Sequence, residues 1–117
     1  SANEFEESYG LTISAMSQLI HENARKKGFR ENAISLKESL MNVVVELSEA
    51  IQEARKENAA AVQIINGVPE GILIELADAI MLILEECAFQ GWDMETAIIT
   101  KYRYNLTRPK YHGHKLK

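Results

Sequence analysis

The sequence predicts an all-α fold, a bundle of four to five helices. Three observations carry this. The 117 residues include only six Gly and two Pro, so long segments lack the residues that most often interrupt helices. Within those segments apolar residues recur at spacings of three and four, the helical period. Finally, the most apolar runs each enclose two acidic residues three positions apart, a spacing that stacks them on one helix face. The length fits one domain, spanning residues 1–117, with a frayed N-terminus at 1–7 and a basic C-terminal tail at 108–117.

The first helix is expected over 8–27. Ile13, Met16, Ile20 and Ala24 form its apolar stripe, broadened by Ala15 and Leu19. Arg25, Lys26 and Lys27 suit the negative end of its dipole, and Gly28 caps it. The second helix is expected over 33–58, with Leu36, Leu40, Val43, Leu47, Ala50 and Ala54 as its core stripe. Residues 59–69 are ambiguous: Ala59-Ala60-Ala61-Val62 reads as a helix extension or a short helix, and Asn66-Gly67-Val68-Pro69 as a turn and breaker. The third helix is expected over 70–90, opening at Pro69-Glu70 and ending at Gly91. Between 72 and 84 it is apolar on nearly every side except Glu75 and Asp78. A helix apolar all round is buried, and a domain this small can hardly cover it alone, so a homo-oligomer, dimer or tetramer, is expected. Asp93 is the expected N-cap of a fourth helix over Met94–Leu106, which Thr107-Arg108-Pro109 ends.

The formal net charge of −4 hides an asymmetry. All 17 acidic residues lie at or before Glu95, whereas six of the 13 Lys and Arg follow Thr96. An acidic body with a basic end suits a cation site beside an anion clamp, although a solvated basic tail would look the same. The acidic, polar start carries no signal-peptide pattern, and the 72–84 run is too short and too charged to span a bilayer. A cytoplasmic protein without a membrane partner is expected. The single Cys87 excludes a disulfide framework and a cysteine zinc cluster, and its apolar setting suits a small core residue.

The chemistry concentrates in Glu46-Leu47-Ser48-Glu49 and Glu75-Leu76-Ala77-Asp78. Carboxylates amid Leu, Ile and Val are costly unless compensated. Four of them repel one another unless a cation lies between, and hard divalent ions take oxygen ligands. A di-iron bundle needs Glu-x-x-His, but His21, His112 and His114 follow Gln18, Pro109 and Tyr111 at that spacing. Neither a phosphate-cradling Gly-rich loop nor a His-Glu-x-x-His motif occurs. An all-oxygen site remains, in which Glu46, Glu49, Glu75 and Asp78 hold Mg²⁺, or Mn²⁺ in its place, and substrate phosphates fill the open positions.

The two motifs, 25 residues apart, together with Lys101-x-x-x-Asn105 and Arg108 downstream, resemble the signature of the MazG-like all-α nucleoside triphosphate pyrophosphohydrolases. The likeness runs over about residues 35–113. It implies a MazG-like bundle assembled as a homo-oligomer. It also implies Mg²⁺-dependent cleavage of a ribo- or deoxynucleoside triphosphate to the monophosphate and pyrophosphate. On this resemblance Glu49 and Lys101 are the catalytic candidates, with Glu49 orienting or deprotonating water; Lys101, Asn105 and Arg108 contact the substrate. Val45 stands where the family often has a further Glu, a departure that would reduce the number of metals or move part of their coordination to Glu53 or Glu85. Trp92 and Phe29 are candidates to stack on a base or simply to pack, and His21 to face solvent or a partner. A non-catalytic helical oligomerisation or regulatory module is the competing reading. Nucleic acid ranks third and is not expected as a partner.

Overall fold

The computed structural model describes residues 10–109. The frayed segment expected at 1–7 and the tail beyond Pro109 lie outside the described residues. Among those residues the fold has four helices and one β-hairpin: α1 Ile13–Lys26, α2 Leu36–Ala54, β1 Gln63–Ile65, β2 Val68–Glu70, α3 Ile72–Gln90 and α4 Met94–Leu106. The helical class agrees with expectation, and the hairpin is an addition to it.

Local chemistry fixes the helix ends. Thr12 accepts the Ala15 N–H at 3.0 Å, so α1 starts at Ile13 rather than near residue 8. A reciprocal capping box starts α2: the Glu38 N–H donates to Ser35 Oγ at 3.1 Å, and the Ser35 N–H to Glu38 Oε1 at 2.9 Å. It moves the start from the expected residue 33 to Leu36. Asp93 accepts both the N–H and the hydroxyl of Thr96, so α4 occupies its expected span.

The hairpin replaces the helical extension considered for residues 59–69. Asn66 at φ 52° and Gly67 at φ 79° form its two-residue turn, the doubly positive geometry that matches strand twist. Ile65 faces Val68 and Ile64 faces Pro69. The pair flanking a two-residue turn exchanges hydrogen bonds and the next pair does not, so the missing N–H of Pro69 costs nothing there. Pro69 therefore belongs to a strand rather than to the start of α3. That start is capped by backbone: the Ile72 and Leu73 N–H groups donate to the Ala60 and Ala61 carbonyls at 3.0 and 2.9 Å. Gly71, at φ 125°, makes this approach possible, since a Cβ there would lie 2.5 Å from the Ala61 oxygen.

Helices α2 and α3 run antiparallel: Ser39 meets Glu86 while Glu46 meets Asp78. α1 packs on the outer side of α3, and α4 packs chiefly on α1, where Glu95 accepts the Ser14 N–H at 2.9 Å. The core consists of small and medium side chains, Val43, Ala50, Ala79, Leu84 and Cys87, joined by Ser17 and Ser39. Of the six stripe residues expected in α2, only Val43 and Ala50 are buried; Leu40 and Leu47 are exposed, as are Leu73, Ile80 and Met81 of α3. The reason is geometric. One neighbouring helix covers a narrow seam of α2, and Ser39 takes part of it to bond Glu86.

Candidate metal and nucleotide site

α2 and α3 bring the two acidic motifs together. Glu46, Glu75 and Asp78 offer carboxylate oxygens that lie within 4.8 Å of one another, with the first two residues half-buried and Asp78 exposed. Opposite ligands around one Mg²⁺ are about 4.2 Å apart, twice a bond of ~2.1 Å, so a small side-chain adjustment would bring these three onto one ion. The donor set is all oxygen, as a hard cation requires. Glu49 is exposed, and its charge acts on all three neighbours.

The electrostatics fit a cluster of mutually repelling carboxylates, on which only the exposed Lys56 acts at longer range, through Glu75. Burial, then the charges of Glu49 and Asp78, push the Glu46 carboxyl above its ordinary range. Burial and the charges of Glu49, Asp78 and Glu46 do the same to Glu75. Partial desolvation of its carboxyl, then the charge of Glu49, raise Asp78 although the residue as a whole is exposed. Among the described residues, no Lys, Arg or His forms an ion pair with any of the four.

Glu53 and Glu85, the two further carboxylates expected to share the coordination, are engaged elsewhere. Glu53 pairs with Lys56 at 2.7 Å. Glu85 is buried, bound by both Arg30 and His21, the latter at 2.8 Å. Glu86, equally buried, accepts from Arg30 at 2.8 Å, Ser39 at 2.6 Å and Gln90 at 2.7 Å. Burial alone would raise Glu86; these donors outweigh it and hold the carboxyl below its usual range. Arg30 also stacks 3.8 Å from the Phe89 ring centre. His21 is thus half-buried in the single chain rather than a surface residue, held against Glu85 beside Arg30.

The basic end takes a separate place. Lys101 and Asn105 line a groove on α4 with Met94, Ala97, Ile98 and Tyr102. The Lys101 ammonium and the Arg108 guanidinium both lie over Tyr104, at 5.1 and 5.3 Å from its ring centre, so the structure brings these two expected substrate contacts together. It does not join Lys101 or Asn105 to the carboxylates: no ion pair or hydrogen bond links them among the described residues.

Beside the carboxylates a cavity of about 380 Å³ opens between α1 and α3, lined by Ile20, Asn23, Ala24, Phe29, Glu46, Asp78, Met81, Leu82 and Glu85. Of the two aromatic candidates, Phe29 borders this cavity and Trp92 does not; Trp92 lines a smaller cleft with Ser14, Ser17 and Glu95. Sequence reading missed Asn23 and Arg30. The first carries no distinguishing local pattern; the second acts through contacts more than 50 residues away.

Comparisons with family models, with curated proteins and with solved structures return no match. Among the described residues, no helix is long and apolar enough to cross a membrane.

Proposed function

We propose that this chain is a Mg²⁺-dependent nucleoside triphosphate pyrophosphohydrolase, releasing pyrophosphate and a monophosphate, and that it works in the cytoplasm as a homo-oligomer. The observation that carries the reading is the convergence of Glu46, Glu75 and Asp78 from two helices, with no cationic side chain paired to them among the described residues. The resemblance of the two motifs and of Lys101, Asn105 and Arg108 to MazG-like enzymes supports it.

Mg²⁺, when bound, supplies charge neutralisation at the phosphates and polarises the phosphorus under attack. Glu46, Glu75 and Asp78 hold it. Glu49, exposed beside them, orients the attacking water and accepts its proton. Lys101 and Arg108 offset charge developing on the phosphates, and Asn105 bonds a phosphate or sugar oxygen. In this reading these three side chains reach the triphosphate from a second copy of the chain. The apolar residues left exposed on α2 and α3 are the kind of surface that self-association covers.

Pyrophosphate release from a panel of nucleoside triphosphates, with and without Mg²⁺, tests the activity. Lys101→Ala should cut hydrolysis by roughly ten- to a thousandfold, the ~1.4–4 kcal/mol of one charge-stabilising group, and leave the melting temperature in place. Sedimentation should show a dimer or tetramer. No release from any triphosphate, with metal bound, would leave the non-catalytic oligomerisation module as the better reading.

A further inference from the structure

We infer that the cavity between α1 and α3 is a nucleobase subsite selective for bases that carry an amino group, with Phe29 as its stacking wall and Glu85 as its selector. The inference rests on the triphosphate reading of the carboxylate cluster and names the part of the substrate that this reading leaves open.

The cavity and the cluster are continuous, because Glu46 and Asp78 line both. Asp78 and Glu85 stand seven residues apart on α3, about 10 Å along its axis. A ligand whose phosphates meet Asp78 therefore extends along the cavity toward Glu85, and a sugar and base fill such a span. The walls suit that occupant. Ile20, Ala24, Met81 and Leu82 supply apolar surface and Phe29 an aromatic one. The polar groups are Asn23 at one wall and the carboxylates of Glu46, Asp78 and Glu85, the mix of apolar walls and placed polar groups of a small-molecule pocket.

Glu85 sets the preference. Its side chain is 4% exposed and is fixed by Arg30 and His21. A carboxylate offers about four acceptor positions. Oε2 receives Arg30 Nε and His21 Nδ1, and Oε1 receives Arg30 Nη2, which leaves one position on Oε1. An anion anchored to a guanidinium accepts hydrogen bonds and cannot donate them. Cytosine, adenine and guanine present an amino donor at the edge away from the sugar. Uracil and thymine present an imide N–H flanked by two carbonyl oxygens, and those oxygens meet the carboxylate repulsively. Asn23 makes no side-chain hydrogen bond to the described residues, so its amide is free to donate to or accept from the rest of the base edge. An apolar side chain from a second copy fits less well, since it would seal Asn23 and the open Glu85 position away from any partner.

The test separates this subsite from the hydrolytic reading by leaving out phosphate and metal. Deoxycytidine, deoxyadenosine and thymidine are titrated into the intact protein, and resonances of Phe29, Ile20 and Met81 are followed. Deoxycytidine and deoxyadenosine should shift all three residues, with thymidine at least fivefold weaker. Phe29→Ala, a change at a half-exposed side chain, should weaken binding roughly five- to a hundredfold, the range for one base–aromatic stack. Equal binding of thymidine overturns the selector role of Glu85. Absence of any deoxynucleoside shift, or shifts confined to other residues, overturns the subsite. Deoxynucleoside binding in the cavity without hydrolysis of any triphosphate upholds the subsite and overturns the pyrophosphohydrolase reading.

Discussion

Helix α3 carries two pairs of acidic residues against α1 and α2, and the pairs are treated in opposite ways. Glu85 and Glu86 are 3% exposed and surrounded by donors: Arg30 bonds both, with His21 on one and Ser39 and Gln90 on the other. Glu75 and Asp78, two to three turns earlier, face Glu46 and Glu49 and have no cation paired to them among the described residues. The more deeply buried pair is thus the satisfied one. At Glu85 and Glu86 the chain supplies the counter-charge itself; at the cluster no cation is paired among the described residues. Both pairs are acidic and sit on one helix, and compensation distinguishes them.

The largest test of this contrast is Arg30→Ala. It removes the cation shared by two buried carboxylates and leaves both without it, a loss of about 3–5 kcal/mol by the usual cost of orphaning one member of a buried pair. Thermal unfolding should fall by more than about 10 °C for a domain of this size. Arg30→Lys should recover only part of the loss, because an ammonium cannot reproduce the forked contacts. A melting temperature within a degree or two of the parent would mean that the network is not structural, and the two pairs would no longer differ in kind.

A smaller effect is expected at the cluster, with the opposite sign. Mg²⁺ or Mn²⁺ at about a hundredfold excess over its dissociation constant should stabilise the fold by about 2.7 kcal/mol, as for any ligand that binds only the native state. Asp78→Asn should weaken the shift. Should millimolar metal leave the parent's melting temperature unchanged, the carboxylates do not form a competent metal site.

The same contrast explains what the sequence could and could not reveal. The acidic motifs were legible because their spacing and apolar flanks are local, and so were the limits of α4, fixed by Asp93 and Pro109. The capping box at Ser35 and Glu38 is present in the sequence as well, and with the apolar stripe beginning at Leu36 it marks the observed start of α2 better than the expected residue 33. The Asn66-Gly67 turn is legible as a turn and breaker, but the strands beside it are not, because three mostly exposed residues leave no alternating pattern to detect. Glu85 looked like a spare metal ligand for a physical reason. Its partner Arg30 lies 55 residues away, and no period within a helix announces a pair closed by tertiary packing. The stripe of α2 was overdrawn for a related reason. Hydrophobic spacing marks a face that seeks cover, whereas the cover within one chain reaches only Val43 and Ala50.

The smallest expected effect is a difference in pH response, and it compares the two pairs in one titration. Glu46, Glu75 and Asp78 have carboxyls raised above their ordinary values by burial and mutual repulsion. A raised acid binds its proton more tightly when folded. Its penalty is therefore absent below the unfolded value and grows as pH rises from that value through the raised one. Glu86 is lowered. Its stabilising contribution is full above the ordinary glutamate value of 4.5 and is lost as pH falls through the lowered one. The windows of Glu46 and Glu75 lie above that value and that of Glu86 below it, while that of Asp78 opens from 3.8 upward. Metal-free protein should gain stability as pH is lowered from neutral toward 4.5, then lose it on further acidification. Glu75→Gln should flatten the upper limb and leave the lower one intact, and saturating Mg²⁺ should flatten the upper limb too, since the ion offsets the repulsion. Melting temperatures of the parent and of Glu75→Gln, measured across both windows with and without metal, decide the matter. An upper limb that survives both the substitution and the ion would show that the four carboxylates do not strain one another, and that the cluster needs no cation to be stable.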